Sequence, residues 1–163
     1  MNELVITKSK LNFESIYSKP YFPKEHEEDL KRANLLLVPY EDFRTIEDPV
    51  FPEDTMKFYE FIKDYDDDNL IGDICISDEN YVELELHADL ISLANMVVTI
   101  FVLPIVPGLI TNYIDRKFQG RKTDVKIKVN MTVVDGEKST SISYEGDADK
   151  FEETIKAANQ IHN

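Results

Sequence analysis

From Leu90 to Ile114 the chain runs 25 residues without a charge, although 31% of its 163 residues are charged. As a helix that length reaches roughly 30 Å or more, the hydrocarbon thickness of a bilayer. Any fold must therefore place the segment in lipid, in a core or against a partner. Arg116, Lys117, Arg121 and Lys122 follow it directly and would hold its C-terminal side in the cytoplasm if it spanned. Three features oppose a simple span. Pro104, Pro107 and Gly108 sit mid-segment, where prolines remove backbone donors that lipid cannot replace. The charge rule would send 89 strongly acidic residues outward without an export signal. A span would also strand the last 49 residues as two strands and one helix, too little to be stable alone.

The segment is accordingly expected to lie along a sheet, as a helix from Leu90 to Leu103 that stops at Pro104 and a shorter helix from Leu109 to about Phe118. Ser92, Asn95 and Thr99, spaced by three and four, would share one helical face, too narrow a polar stripe to leave the rest in water. A second subunit is the economical cover. The residues expected to dock are Leu90, Leu93, Val97, Ile100, Phe101, Leu103, Pro104, Ile105, Pro107, Leu109 and Ile110.

Around the segment the periodicities are legible. Val125, Ile127, Val129, Met131 and Val133 alternate with polar residues as a half-buried strand does, Asp135-Gly136 suits a tight turn, and Ile142 and Tyr144 continue on a return strand. Asp147 is placed to cap a final helix in which Ala148, Phe151, Ile155 and Ala158 recur at helical spacing. Ile74 and Ile76, then Val82, Leu84 and Leu86, alternate across Asp78-Glu79-Asn80 and predict a second hairpin. Upstream, Pro52 is expected at the first position of a helix through Met56, Tyr59 and Ile62, and a short helix at 26–34 leads into a strand at Leu35 to Val38. Residues 1–23 and 41–51 are expected as loops or an edge strand. The predicted fold is α+β, one domain over 1–163: an acidic half with two helices (1–70), then strand, strand, apolar segment, strand, strand, helix (71–163). Its two β-hairpins form a mostly antiparallel sheet covered by helices, with the long apolar helical segment broken at Pro104, Pro107 and Gly108.

Charge placement narrows the partners. Residues 1–89 hold 9 Lys/Arg against 23 Asp/Glu, whereas residues 115–163 hold 9 of each, so the whole net charge of −14 lies in the first half. Such a surface repels phosphate backbones, which argues against nucleic acid and in favour of a basic partner. A single cysteine, Cys75, forbids an internal disulfide, and no basic-then-apolar leader opens the chain; a reducing, cytoplasmic setting is expected, with membrane association through the apolar segment as the variant.

Catalytic motifs do not stand clear of background. Asp64, Asp66 and Asp68 hold the spacing of the first three oxygen ligands of a calcium loop, but Cys75 occupies the position that needs a bidentate glutamate, so a solvated acidic turn is the better reading and no metal is assigned. His26, His87 and His162 show no zinc spacing. Cys75 lies between Asp73 and Ser77, an acidic setting that favours the thiol over the thiolate. No glycine-rich phosphate loop is present, and no cofactor is implied. Arg116, Lys117, Arg121 and Lys122 form the one place where an anion or lipid head group would settle. The expected function is a non-enzymatic interaction module that self-associates or docks on another protein through 90–114. The alternatives are a membrane-inserting effector using the same residues, and an acidic inhibitor or immunity-type protein that binds a basic partner.

Overall fold

A computed structural model describes residues 2–85, 90–119 and 125–162. Its architecture is α+β, a mixed seven-stranded sheet with helices on both faces. The strands are β1 (Glu3–Ser9), β2 (Leu35–Val38), β3 (Phe51–Pro52), β4 (Gly72–Ile74), β5 (Glu83–Leu84), β6 (Ile91–Ser92), β7 (Asn95–Thr99), β8 (Lys126–Asp135) and β9 (Lys138–Asp147). Helices are α1 (Phe13–Tyr17), α2 (Glu27–Arg32), α3 (Thr55–Asp64), α4 (Val106–Phe118) and α5 (Phe151–His162). The sheet runs β1-β9-β8-β7-β2-β4, with β6 also paired to β8.

The β8–β9 hairpin forms as its alternation predicts, Asp135 opposite Lys138 across the two-residue loop Gly136-Glu137. Gly136 takes the positive φ, +63°, at the first loop position, where glycine bears no Cβ penalty. The second predicted hairpin does not form. β4 pairs parallel with β2, and β5 pairs parallel with β3 in a separate two-stranded sheet. Local alternation marks a strand but not its partner, and both partners here lie far away in sequence.

The apolar segment is the larger correction: residues 90–103 are not a helix. They form β6 and β7, and among the described residues no helix is long and apolar enough to cross a membrane. β7 lies between β2 and β8, with Met96, Val97 and Val98 each at most 1% exposed. A strand buried on both faces loses the period of two and reads as a continuous apolar run, which length alone mistakes for helix. Ser92 pairs with Lys128 and Met96 with Met131, so three residues of one strand face two of the other: a β-bulge at Leu93, Ala94 and Asn95. Pro104 lies exposed in the turn after β7. Pro107 falls in the first turn of α4, where its missing N–H costs nothing, so the expected break is a helix start.

Two smaller corrections concern caps. Pro52 belongs to β3 rather than to α3. Asp147 does not cap: its carboxylate accepts from Lys126 Nζ, and a 3-10 turn at Ala148–Lys150 precedes α5.

The register sorts the sheet into two faces. Leu37, Met96, Met131 and Ile142 lie in one row, with Leu35, Val98 and Val133 beside them on the same face. That face meets the helices: Tyr144 packs edge-on against Phe151 of α5, and Gly72 lies so close to Ile62 of α3 that a Cβ there would sit 2.4 Å from its methyl. Phe58 and Phe61 of α3 pack at a tilt against Tyr113 of α4, with ring centres 4.8 and 5.5 Å apart, tying the layer together. On the opposite face the row is Leu36, Val97, Thr132, Ser141 and Thr7, apolar in the centre and hydroxylated toward β1. Leu11, Ile16 and Tyr21, from α1 and its flanks, lie over this face. One apolar core joins the N-terminal helices, β2, the segment 93–114 and the C-terminal hairpin and helix.

Candidate functional site

Because β2 and β4 are parallel, the chain leaves both at the same end of the sheet, so the loops that follow them, 39–50 and 75–82, converge. Both loops are pinned at their far ends. Tyr40 and Val50 exchange backbone hydrogen bonds of 2.8 and 3.1 Å, and β3 pairs with β5 while Phe51 stacks on Tyr81 at 5.2 Å. Between them lies a cleft of about 460 Å³. Glu41, Asp42, Glu47 and Asp48 line it from the first loop and Glu79 from the second, with Tyr21, Ile76 and Val82 among its apolar walls. Lys19 Nζ lies 3.0 Å from Glu41 at the edge of the cleft, and Arg44 lies over the Phe43 ring in the first loop. Tyr21, on the wall, is kept protonated far up the pH scale by burial and then by the charges of Cys75 and Glu41.

A second cleft, about 300 Å³, opens beside the first and shares Tyr21 and Glu41 with it. Its floor is the polar half of the sheet face with Val38 of β2 beside Asn95, and Leu11 and Ile16 flank it. A third hollow of about 60 Å³ lies by Ser92, Lys117 and Asp54 and has room for little more than ordered water.

The residues singled out in sequence are distributed otherwise. Leu93, Val97, Leu103, Pro107, Leu109 and Ile110 are buried in the chain's own core and present no surface to a partner. Leu90, Ile100 and Ile105 are half-buried, Pro104 is exposed, and Phe101 projects with 86% of its surface open. Lys117 Nζ bonds Asp54 Oδ2 at 2.6 Å, and that hydrogen bond holds the Asp54 carboxyl below the usual carboxylate range. Arg116 lies over the Phe61 ring, 5.9 Å from its centre. Both cations are thus engaged within the fold, while Arg121 and Lys122 lie outside the described residues.

Asp64, Asp66 and Asp68 are exposed at the end of α3 and in the turn after it. Among the described residues no group of three metal-ligating side chains converges, there or elsewhere. The turn is closed instead by Asp67, which accepts from the Asn69 N–H at 2.9 Å. Cys75 is fully buried, its thiol pushed up to about 12 by desolvation and then by Asp73, which leaves almost no thiolate at neutral pH. His26 is exposed, and His87 lies outside the described residues.

The cleft carboxylates escaped the sequence reading. Acidic density at 41–48 and 78–79 was visible, but nothing local says that those loops meet; the parallel pairing of β2 with β4 does that. Comparison with protein-family models, with curated proteins and with solved structures yields no match, so any functional reading rests on the geometry alone.

Proposed function

We propose that this chain is a non-enzymatic binding protein whose acidic cleft receives a basic segment of a protein partner, in the manner of an inhibitor or immunity-type protein. The observation that carries this reading is the gathering of Glu41, Asp42, Glu47, Asp48 and Glu79 around one concave space with apolar walls, on anchored loops. A lysine or arginine entering it lays its aliphatic stem on Tyr21, Ile76 and Val82 while its head meets several carboxylates. The charge of −14 adds long-range attraction for a cationic partner and speeds encounter. Docking through 90–114, on another copy or on a membrane, has much less to support it, since only Phe101, Pro104 and the half-buried Leu90, Ile100 and Ile105 of that set reach the surface.

A fluorescein-labelled peptide of alternating lysine and arginine, followed by anisotropy, tests the reading. Binding is expected at low salt and should weaken steeply as salt rises. The triple variant Glu47→Gln, Asp48→Asn, Glu79→Gln is expected to weaken it about tenfold with the melting temperature retained, since exposed ion pairs contribute up to about 1 kcal/mol each. Asp64→Asn, Asp66→Asn, Asp68→Asn serves as the control, the same change of three charges outside the cleft. Equal losses from both variants would mean a diffuse charge effect and end the assignment.

A further inference from the structure

β1 ends the seven-stranded sheet on one side, and its outer edge is open. Glu3–Ser9 run in unbroken register against β9, and among the described residues no backbone group outside β9 bonds to them. At the other end of the sheet β4 is only three residues long, and Ile62 of α3 presses on it. Which groups of β1 face outward follows from the neighbouring hairpin. Asp135 and Lys138 flank a two-residue loop, which makes them a hydrogen-bonded pair. The alternation of an antiparallel ladder then turns Thr140, Ile142 and Tyr144 toward β8, and Ser139, Ser141, Ser143 and Glu145 toward β1. The same count turns Lys128 and Val134 toward β7, where their carbonyls accept from the Leu93 and Ile100 N–H at 3.0 and 2.9 Å. On β1 it leaves Leu4, Ile6 and Lys8 with N–H and C=O directed away from the molecule. Long edge strands are usually blunted by a proline, a bulge or a charge in mid-strand. β1 has no proline or bulge and keeps Lys8 near its end, while Leu4 and Ile6 are half-buried and Val5 is 43% exposed.

We propose that β1 pairs antiparallel with β1 of a second copy of this chain, about a two-fold axis at Ile6. The outward residues are spaced evenly about Ile6. Ile6 then meets its own counterpart and Leu4 meets Lys8 of the second copy, so that each outward N–H and C=O finds a bond. An axis at Val5 would set Lys8 opposite residue 2, beyond the strand. Charge favours a second copy and this direction. Glu3, with Glu145 across from it, makes one end of β1 acidic, and Lys8 and Lys10 make the other basic; none of the four is in an ion pair among the described residues. Two-fold pairing lays each basic end beside the acidic end of the other copy, whereas parallel pairing would lay like on like. The acidic loops after β2 and β4 do not oppose it: β2 lies four strands from β1, roughly 19 Å, against a Debye length of about 8 Å at physiological salt. Pairing also covers Leu4 and Ile6 on the helix-bearing face and Val5 on the other. The edge lies across the sheet from the acidic cleft, and the proposal does not rest on the basic-partner reading.

Sedimentation equilibrium of the full chain at physiological salt is expected to show a reversible monomer and dimer in the micromolar range, an edge contact being small. Lys8→Pro tests the ladder, since it removes an outward N–H but no bond to β9, at an exposed side chain. It should weaken the dimer about tenfold or more with the melting temperature retained. Phe101→Ser, at a side chain 86% exposed on another surface, should leave the dimer unchanged. If Lys8→Pro does not fold, amide hydrogen exchange of the unaltered chain decides. The N–H groups of Leu4, Ile6 and Lys8 should gain protection as protein concentration rises, and those of Val5 and Thr7, bonded to β9 in either state, should change far less. A chain monomeric throughout would leave the edge to a strand of another protein and overturn the proposal. So would a mass that grows past the dimer, exchange at Leu4, Ile6 and Lys8 that ignores concentration, or a dimer lost in Phe101→Ser and kept in a folded Lys8→Pro.

Discussion

At the scale of single residues, the clearest strain-free gain lies in α4. Gly108 stands in the first turn of that helix, and a Cβ added there would meet nothing nearer than Tyr65 Oη at 3.9 Å, ordinary contact. Gly108→Ala is therefore expected to stabilise by about 0.5–1 kcal/mol through the unfolded chain, raising the melting temperature by roughly 2–4 °C at most. Calorimetry of the two proteins checks it, and a fall would mean that α4 starts later than Val106. This residue also shows why 90–114 was only half legible: proline, proline and glycine within five positions signal a break, and a helix beginning uses the same residues as one ending.

At the scale of elements, α3 is held at its N-terminus from a distance. Asp54, the N-cap residue, lies at φ +67° with its carboxylate turned to Lys117, so it caps nothing. Glu83 of β5 takes over: its Oε1 accepts from the Asp54 N–H at 2.9 Å, its Oε2 from the Met56 N–H at 3.0 Å, and Tyr81 donates its hydroxyl to Oε2. Glu83→Ala should cost about 1–2 kcal/mol, read from the urea midpoint, because it removes a cap and leaves donors at the helix start open. A loss below a few tenths would show that water replaces the carboxylate. Such a cap has no signature near Thr55, since its partner lies 29 residues from Asp54.

For the whole molecule, pH dependence is set on the alkaline side. The Cys75 thiol has an unfolded value near 9.0 and is held at about 12 in the fold, and Tyr113 and Tyr144 are likewise raised, to about 12, chiefly by burial. Raised acids contribute stability in full below their unfolded values, and that contribution is lost as pH climbs toward the folded ones. The urea midpoint is expected to fall between pH 8 and pH 10.5, the cysteine alone accounting for about 2 kcal/mol at the upper end. Cys75→Ala should flatten the part of the fall between pH 8 and 9, where tyrosine, with an unfolded value near 10.0, is still mostly neutral in the unfolded chain; an unchanged slope would remove the assignment. On the acid side Asp54 and Asp147, lowered first by hydrogen bonds from Lys117 and Lys126, act oppositely: their contribution disappears as pH drops through their folded values.

What the sequence by itself determined is everything held by near neighbours: the β8–β9 hairpin with its Gly136 turn, the short helix leading into β2, the helical faces of α3 and α5, and the acidity of the first half. Tertiary structure alone decided which strands pair in parallel, that residues 91–99 enter the sheet as its covered centre, and that loops 41–49 and 75–82 meet as an acidic cleft. The physical reason is the range of the interaction. Periodicity records which side of an element faces a core, and it vanishes when both sides do. Pairing between distant strands depends on closing long loops and filling a shared core, and no stretch of chain carries that information alone.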